Sequence, residues 1–441
     1  MKMKAIKTVK NSDVIMQEFT CPAFEESGVE RPVINIVPQV EYQTIDGFGG
    51  AFTEAAAVSL DKISPEKREQ VIKMYFDEKE GIGYNFCRTH INSCDFSVGN
   101  WTYVEEGDKD LSTFSIDHDK QSIIPMIKDA LKYNKDIKFF SSPWSPPAYM
   151  KDTNMMNKGG KLLPEYYDLW SEYYVKYIEA LKEEGINISA ITVQNEPKAT
   201  QTWDSCVYTA EEERDFVKNY LGKKMQDIGV KIMFWDHNKE RVMDRAMVML
   251  EDKEAARYID AIAVHWYSGD HFQQLDMFHK MYPDKGIVFS EGCQEYSLGK
   301  VDSWSIGERY AYDMIGDFNN YLNAFTDWNL VLDEKGGPNH VGNYCDAPIM
   351  VDTQKDEVYV HNSYYYIGHF SKYVKRGAKR IGCSTYTSDL SVTAFKNPDG
   401  QLVVVVLNNK DTEQSYNIRI NDKVALVKSE PHSIATYIIE E

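Results

Sequence analysis

Short apolar runs alternate with longer stretches whose apolar residues recur at helical spacing. Eight of the short runs read as strands. They end near Gly50-Ala51-Phe52, Thr89-His90-Ile91, Ser142-Pro143-Trp144, Asn195-Glu196, Trp235-Asp236-His237, His265-Trp266-Tyr267, Ser290-Glu291 and Asp327-Trp328-Asn329. Between them lie helix signals. Ser64-Pro65-Glu66 offers an N-cap with proline in the first turn. Residues 164–184 carry apolar and aromatic positions at helical spacing and stop at Gly185. Thr209-Ala210-Glu211-Glu212 has the pattern of a capping box.

Strands and helices in alternation predict a parallel α/β architecture. Eight units favour a closed (β/α)8 TIM barrel over an open sheet. Gly47-Phe48-Gly49-Gly50 does not fit a dinucleotide-binding loop and reads as close backbone packing. The ends of the chain differ from its middle. Residues 14–38 hold short extended runs broken by prolines. After about residue 385 the pattern is all-β, with runs at 391–395, 402–407, 416–420 and 434–439. Asn397-Pro398-Asp399-Gly400 reads as the hairpin turn between the first two. The expected organisation is therefore a barrel over 43–380 and a side β-sandwich built from residues 1–42 and 381–441.

Two of the eight strand ends carry a glutamate, Glu196 on the fourth and Glu291 on the seventh. A buried strand has no reason to end in a carboxylate unless that end faces a polar site. Strands three apart in an eight-stranded barrel face each other across its mouth. A carboxylate pair held there at about 5–5.5 Å is the equipment of retaining glycosidic cleavage. Pro197 disfavours helix at Glu196, so an extended exit from the strand is expected. Asp95, Trp144, His265, Trp266, Tyr267, Trp328 and Asn343 supply aromatic faces and hydrogen-bonding groups of the kind that hold a sugar ring.

Composition narrows the partners. The chain has 441 residues and a formal charge of −19, which repels phosphate backbones and anionic membrane. A neutral small-molecule carbohydrate is the expected partner, with no nucleic acid and no membrane. No apolar run approaches the roughly 20 residues that span a bilayer. The basic N-terminus lacks an apolar signal core, so the expected location is cytoplasmic. Seven scattered cysteines form no C-x-x-C pair and fit a reduced protein. Cys293 lies two residues after Glu291 and reads as a packing residue.

The chain also resembles glycoside hydrolase family 30, the group that includes lysosomal glucosylceramidase. The resemblance runs from about Gln43 to about Arg380. It is carried by residues 46–56 (DGFGGAFTEAA), 93–97 (SCDFS), 142–147 (SPWSPP), 194–197 (QNEP), 263–267 (AVHWY), 290–293 (SEGC), 326–329 (TDWN) and 336–339 (GGPN). It implies a retaining β-glycosidase with Glu196 as acid/base and Glu291 as nucleophile. It implies that Asn195 binds the sugar 2-hydroxyl and that Arg88 and Tyr267 support the nucleophile. Asp95, Trp144, Trp328 and Asn343 would hold the nonreducing sugar, and His265 would line the site. Trp203, just beyond the acid/base, is the candidate for stacking on the leaving group.

In that chemistry the charge of Glu291 raises the pKa of Glu196, so that one carboxyl attacks while the other donates a proton. The expected substrates are soluble β-glucosides or gluco-oligosaccharides. Alternatives are a β-xylosidase, a β-fucosidase or an endo-β-1,6-glucanase of the same family, and a non-catalytic sugar-binding protein. A metal-dependent hydrolase would need ligands from His90, His237, His265 and His271, but neither an H-x-H nor an H-E-x-x-H motif is present. No metal and no cofactor are expected. The sugar preferred, exo or endo action and the oligomeric state are not fixed by the sequence.

Overall fold

The computed structural model describes residues 1–26, 32–296 and 303–440. Part of the extended run expected over 14–38 therefore lies outside the described residues. Contacts divide the chain into two units. One comprises residues 1–47, 300–323 and 360–441, and the other residues 48–299 and 324–359.

The eight expected strands all form, and they close into one parallel barrel. They are β1 (Gly47–Phe52), β2 (Phe86–Ile91), β3 (Lys138–Pro143), β4 (Ile188–Thr192), β5 (Lys231–Asn238), β6 (Ile259–His265), β7 (Gly286–Glu291) and β8 (Ala324–Asn329). Helix starts follow the local signals. Pro65 opens the helix Pro65–Phe76, and Thr209 caps the next with a complete capping box to Glu212. The helix Tyr167–Glu183 ends just before Gly185, whose φ of 81° suits a residue without Cβ.

The strand period of two builds the barrel interior in layers. Phe86, Phe140, Ala190, Met233, Ala261, Ala263, Val288 and Ala324 form one apolar cluster inside it. Two residues further along the same strands come Arg88, Ser142, Thr192, His265 and Ser290. All five are buried and polar. The floor is thus apolar, and the layer above it is ionic and hydrogen-bonded.

Gly49 marks a close approach of β1 to β2. A Cβ there would lie 1.9 Å from the Phe86 carbonyl oxygen. Backbone cannot retreat as a side chain can, so Gly49→Ala should cost about 3 kcal/mol, the upper end of what overpacking typically costs. A denaturant midpoint unchanged from the parent would contradict this.

The other unit is a β-sandwich of ten strands in one continuous hydrogen-bonded order. Strand Lys2–Val9 pairs antiparallel with Ser433–Glu440 through eight residues, so the two ends of the chain share one sheet. Leu390–Lys396 and Leu402–Asn408 form the expected hairpin, closed by the Asn397 amide donating to Gln401. Its core gathers Ile34, Ile36, Ala394, Val404, Val406, Tyr416, Ile418 and Tyr437. Among the described residues no helix is long and apolar enough to cross a membrane.

Candidate active site

Arg88 on β2 is the centre of the polar layer and is fully buried. Its guanidinium donates to Glu291 Oε2 and to Asp236 Oδ2, each at 2.7 Å. It also donates to Asn195 Oδ1 at 3.0 Å, to Ser142 Oγ at 3.1 Å and to the Ser290 carbonyl at 3.2 Å. The planar fork suits such divided loyalties better than an ammonium would. Taking up the Asn195 carbonyl turns that amide so that its NH2 group is the part left for a ligand.

Asp236 reaches this layer through a bulge in β5. Ala263 of β6 pairs with Trp235 and Val264 with His237, leaving Asp236 as the extra residue. Trp235 and Asp236 carry φ angles of 74° and 49°, strained for residues with a Cβ. The strained turn directs a carboxylate into a set of four donors: Arg88, Thr192 Oγ1 (2.7 Å), Ser290 Oγ (2.6 Å) and His265 Nε2 (3.0 Å). Burial opposes its charge, but Arg88 and then His265 more than offset this and hold the carboxyl well below the usual range.

Parallel register sets His265 at the end of β6 opposite Glu291 of β7. Its Nδ1 lies 3.3 Å from Glu196 Oε1 and 4.0 Å from Glu291 Oε1. Both glutamates therefore reach one nitrogen, an arrangement that admits the ~5–5.5 Å separation of a retaining pair. Glu291 also accepts from the Tyr267 hydroxyl at 2.9 Å. The Cys293 thiol is 3.5 Å from that hydroxyl, and the residue packs, partly buried, against the cluster that holds Trp144 and Trp328.

Glu196 does not leave β4 as an extended residue. The strand ends at Thr192, and Glu196 has a φ of 47°, in the left-handed region. Its amide donates to the Asp236 carbonyl at 2.9 Å, a tie across to β5 that overrides the preference set by Pro197.

The protonation pattern also differs from the simple two-carboxyl expectation. Burial opposes a charged His265, but Glu291, Asp236 and Glu196 push its pKa up to about 9. Burial opposes the Glu196 charge as well. The hydrogen bond from His265 and the charges of His237 and His265 outweigh it and hold Glu196 below its ordinary value. Burial pushes Glu291 up against the pull of His265 and Arg88, and Glu196 adds to the rise. These directions favour a proton on His265, hydrogen-bonded to Glu196, beside the protonated Glu196 that the sequence suggested.

Aromatic residues flank the ionic layer. Trp144 and Trp328 stack with ring centres 5.1 Å apart, and Arg88 lies 4.7 Å from the Trp144 ring. Trp203 packs, partly buried, against the same cluster. Asn343 Nδ2 is 3.5 Å from Asp95 Oδ2. Burial, then the Glu291, Asp204 and Glu196 charges, push the Asp95 carboxyl well above its ordinary value. A neutral carboxyl can both donate to and accept from a sugar hydroxyl.

Of the four histidines weighed as ligands, His90 bonds the Asn92 carbonyl and His271 the Ser268 carbonyl. Only His237 and His265 meet, and with Glu196 their ligand atoms lie within 4.8 Å of one another. An ion there would displace the proton on His265 and occupy Glu196. Sequence reasoning missed Asp236 and His237 as parts of the site, although Asp236 stands near a strand end as Glu291 does.

A parallel barrel with two carboxyls converging on one imidazole, walled by tryptophans, defines a hydrolase of glycosidic bonds. Residues 45–374 match the glycosyl hydrolase family 30 TIM-barrel domain, and 377–437 match the family 30 beta sandwich domain. The chain belongs to glycosyl hydrolase family 30. It is 34% identical to lysosomal acid glucosylceramidase of Mus musculus, over 92% of this chain and 83% of the relative. It is 27% identical to endo-1,6-beta-D-glucanase of Neurospora crassa, over 87% and 82%. Among solved structures, SrfJ from Salmonella typhimurium superimposes with a TM-score of 0.97 at 37% identity, covering 100% of both chains. An endo-beta1,6-glucanase superimposes with a TM-score of 0.90 at 30% identity, covering 99% of both.

Proposed function

We propose that the protein hydrolyses soluble β-glucosides or gluco-oligosaccharides with retention, Glu291 acting as nucleophile and Glu196 as acid/base. The observation that carries this reading is the placement of the two carboxyls, which both reach His265 Nδ1 across the barrel while Glu291 alone is held by Arg88 and Tyr267. Glu291 accepts from Arg88 and Tyr267, which favours its anion. Glu196 accepts from an imidazole that holds a proton. In the first step a Glu291 oxygen bonds the anomeric carbon and the bond from that carbon to the aglycone oxygen breaks. That oxygen takes the proton of the Glu196–His265 pair. In the second step Glu196 takes a proton from water, the water oxygen bonds the anomeric carbon and the glycosyl ester breaks. Proton transfer of this kind is typically worth about 10²–10⁴ in rate. Asn195 binds the 2-hydroxyl, and Asp95, Asn343, Trp144 and Trp328 hold the sugar. Two relatives have names that specify a glucose unit, which supports glucose at this position.

A fluorinated substrate analogue tests the roles. A 2-deoxy-2-fluoro-β-glucosyl fluoride should inactivate the enzyme and add one fluoroglucosyl mass to the peptide containing Glu291. A label on any other residue would overturn the assignment. Nitrophenyl β-glucoside, β-xyloside, β-fucoside and β-galactoside name the glycone by their relative rates. The likeness to an endo-beta1,6-glucanase favours a second reading, cleavage within β-1,6-linked glucan. Turnover of β-1,6-gluco-oligosaccharides, with none of the aryl glucoside, would select it.

The pH profile follows from the same groups. Burial lifts Glu291 above its ordinary value, so the acid limb of kcat/KM should lie above the usual carboxylate range. His265 keeps its proton until about pH 9, so activity should persist to the alkaline side of neutrality. Replacing His265 with glutamine removes that store and should move the alkaline limb to lower pH. An alkaline limb that stays in place would show that His265 does not hold the proton.

A further inference from the structure

We infer that Cys293 and Cys345 form an oxidisable dithiol beside the nucleophile, a modification site that closes to a disulfide and lowers activity. The two sulfurs lie 3.2 Å apart. The backbone holds them there independently of the thiols. Glu295 and Cys345 form an antiparallel bridge, the Asp346 amide donates to the Gln294 carbonyl at 2.8 Å, and the Tyr296 amide donates to the Tyr344 carbonyl at 3.0 Å. In that register Cys293 and Cys345 are diagonal neighbours on one face. Closing to the ~2.05 Å of a disulfide needs each sulfur to move by only about half an ångström.

The consequence for the site comes through Tyr267. Its hydroxyl contacts Cys293 Sγ at 3.5 Å and Glu291 Oε1 at 2.9 Å. Drawing Cys293 toward Cys345 takes the sulfur from Tyr267 and tethers the end of β7 to the segment that carries Asn343. Gly292, between Glu291 and Cys293, has no slack, because a Cβ there would lie 2.6 Å from the Phe289 ring. A displacement of Cys293 is therefore passed to Glu291 and Tyr267. Misplacement of a reacting group by about 1 Å can cost on the order of 10² in rate.

A peroxide is the oxidant. Cys293, the more exposed of the two, attacks one peroxide oxygen as its thiolate. The O–O bond breaks, water leaves and Cys293 becomes a sulfenic acid. The Cys345 sulfur then attacks Cys293 Sγ. The S–S bond forms, the S–O bond breaks and the oxygen leaves as a second water with the Cys345 proton. Two thiols lose two electrons, and peroxide gains two. The Cys345 hydrogen bond and burial hold the Cys293 thiol well above its ordinary value, so excess peroxide is required.

The test uses the full chain treated with hydrogen peroxide and then dithiothreitol, with the fluoroglucoside label as an independent reading of the catalytic roles. Peptide mapping should find Cys293 linked to Cys345 and intact mass should fall by two hydrogens. kcat/KM should fall about tenfold or more, and dithiothreitol should restore both. Cys345→Val and Cys345→Ser should keep the untreated activity and lose the reversible response. A linkage to another cysteine, an unlinked pair after excess peroxide, or an equal reversible loss in both Cys345 variants would overturn the inference. So would a quantitative linkage that leaves kcat/KM unchanged.

Discussion

Replacing Glu291 with glutamine should lower kcat by on the order of 10⁴–10⁶ while leaving the fold intact, the scale seen when an enzyme loses its covalent nucleophile. Glutamine keeps the volume; its carbonyl can accept from Arg88 while its NH2 donates to the Tyr267 hydroxyl oxygen, so the packing around the site is spared. What it loses is the anion that bonds the anomeric carbon. A smaller residue separates the roles further. In Glu291→Gly, added azide should fill the space and attack from the opposite face in place of the carboxylate. The product should be the glycosyl azide of inverted configuration. Binding of a glucose-like ligand should survive in both variants. Turnover within tenfold of the parent in Glu291→Gln would remove Glu291 from the mechanism.

Arg88→Met should produce the second large effect, and on stability as well as rate. The substitution removes the guanidinium that pairs with both the Asp236 and Glu291 carboxyls and leaves His265 as the cation beside them. Breaking a buried pair by removing one partner typically costs about 3–5 kcal/mol. Here the same guanidinium also holds Asn195 and Ser142, so the loss should fall in the upper part of that range. Activity should fall with it, because an unpaired Glu291 holds its proton and cannot attack. Denaturant unfolding measures the first effect, and the pH at which residual activity appears measures the second. A variant as stable as the parent would mean that the layer does not depend on Arg88. Arg88→Met combined with Asp236→Asn should recover part of the stability, since the second change removes one of the stranded charges.

Much of this arrangement was legible because the barrel strands are unbroken apolar runs that end in polar residues. Glu291 sits where its strand ends, so a count along the run locates it. Glu196 was found for a partly mistaken reason. It lies four residues beyond β4, and its left-handed backbone is set by a hydrogen bond to Asp236, a residue 40 positions away. Asp236 itself was hidden by the bulge. A strict alternation along β5 points it away from the face it occupies, and only pairing with β6 reveals the extra residue. The proton on His265 was not legible either, since it depends on three carboxylates that only the closed barrel brings to one ring. The sequence pattern assigns residues 1–42 to the sandwich but does not locate strand Lys2–Val9 within them, because lysines at 2, 4 and 7 obscure its apolar positions. In the sheet those lysines lie at the surface or half-buried, while Met3, Ala5 and Ile6 are buried.

The pairing of Lys2–Val9 with Ser433–Glu440 sets a timetable for biosynthesis. The first of these strands leaves the ribosome long before its partner is made. At about 5–20 residues per second, the interval is on the order of 20–85 s. During that time all eight barrel strands emerge and can associate, whereas the early strand can pair only with the short neighbouring strand Gln17–Thr20 and its other edge waits. The alternating lysines give that waiting segment charge, the usual safeguard of an exposed strand against pairing with another chain. Exchanging Lys4 and Lys7 for threonine should thus lower soluble yield in cells more than it lowers the unfolding temperature of the purified protein.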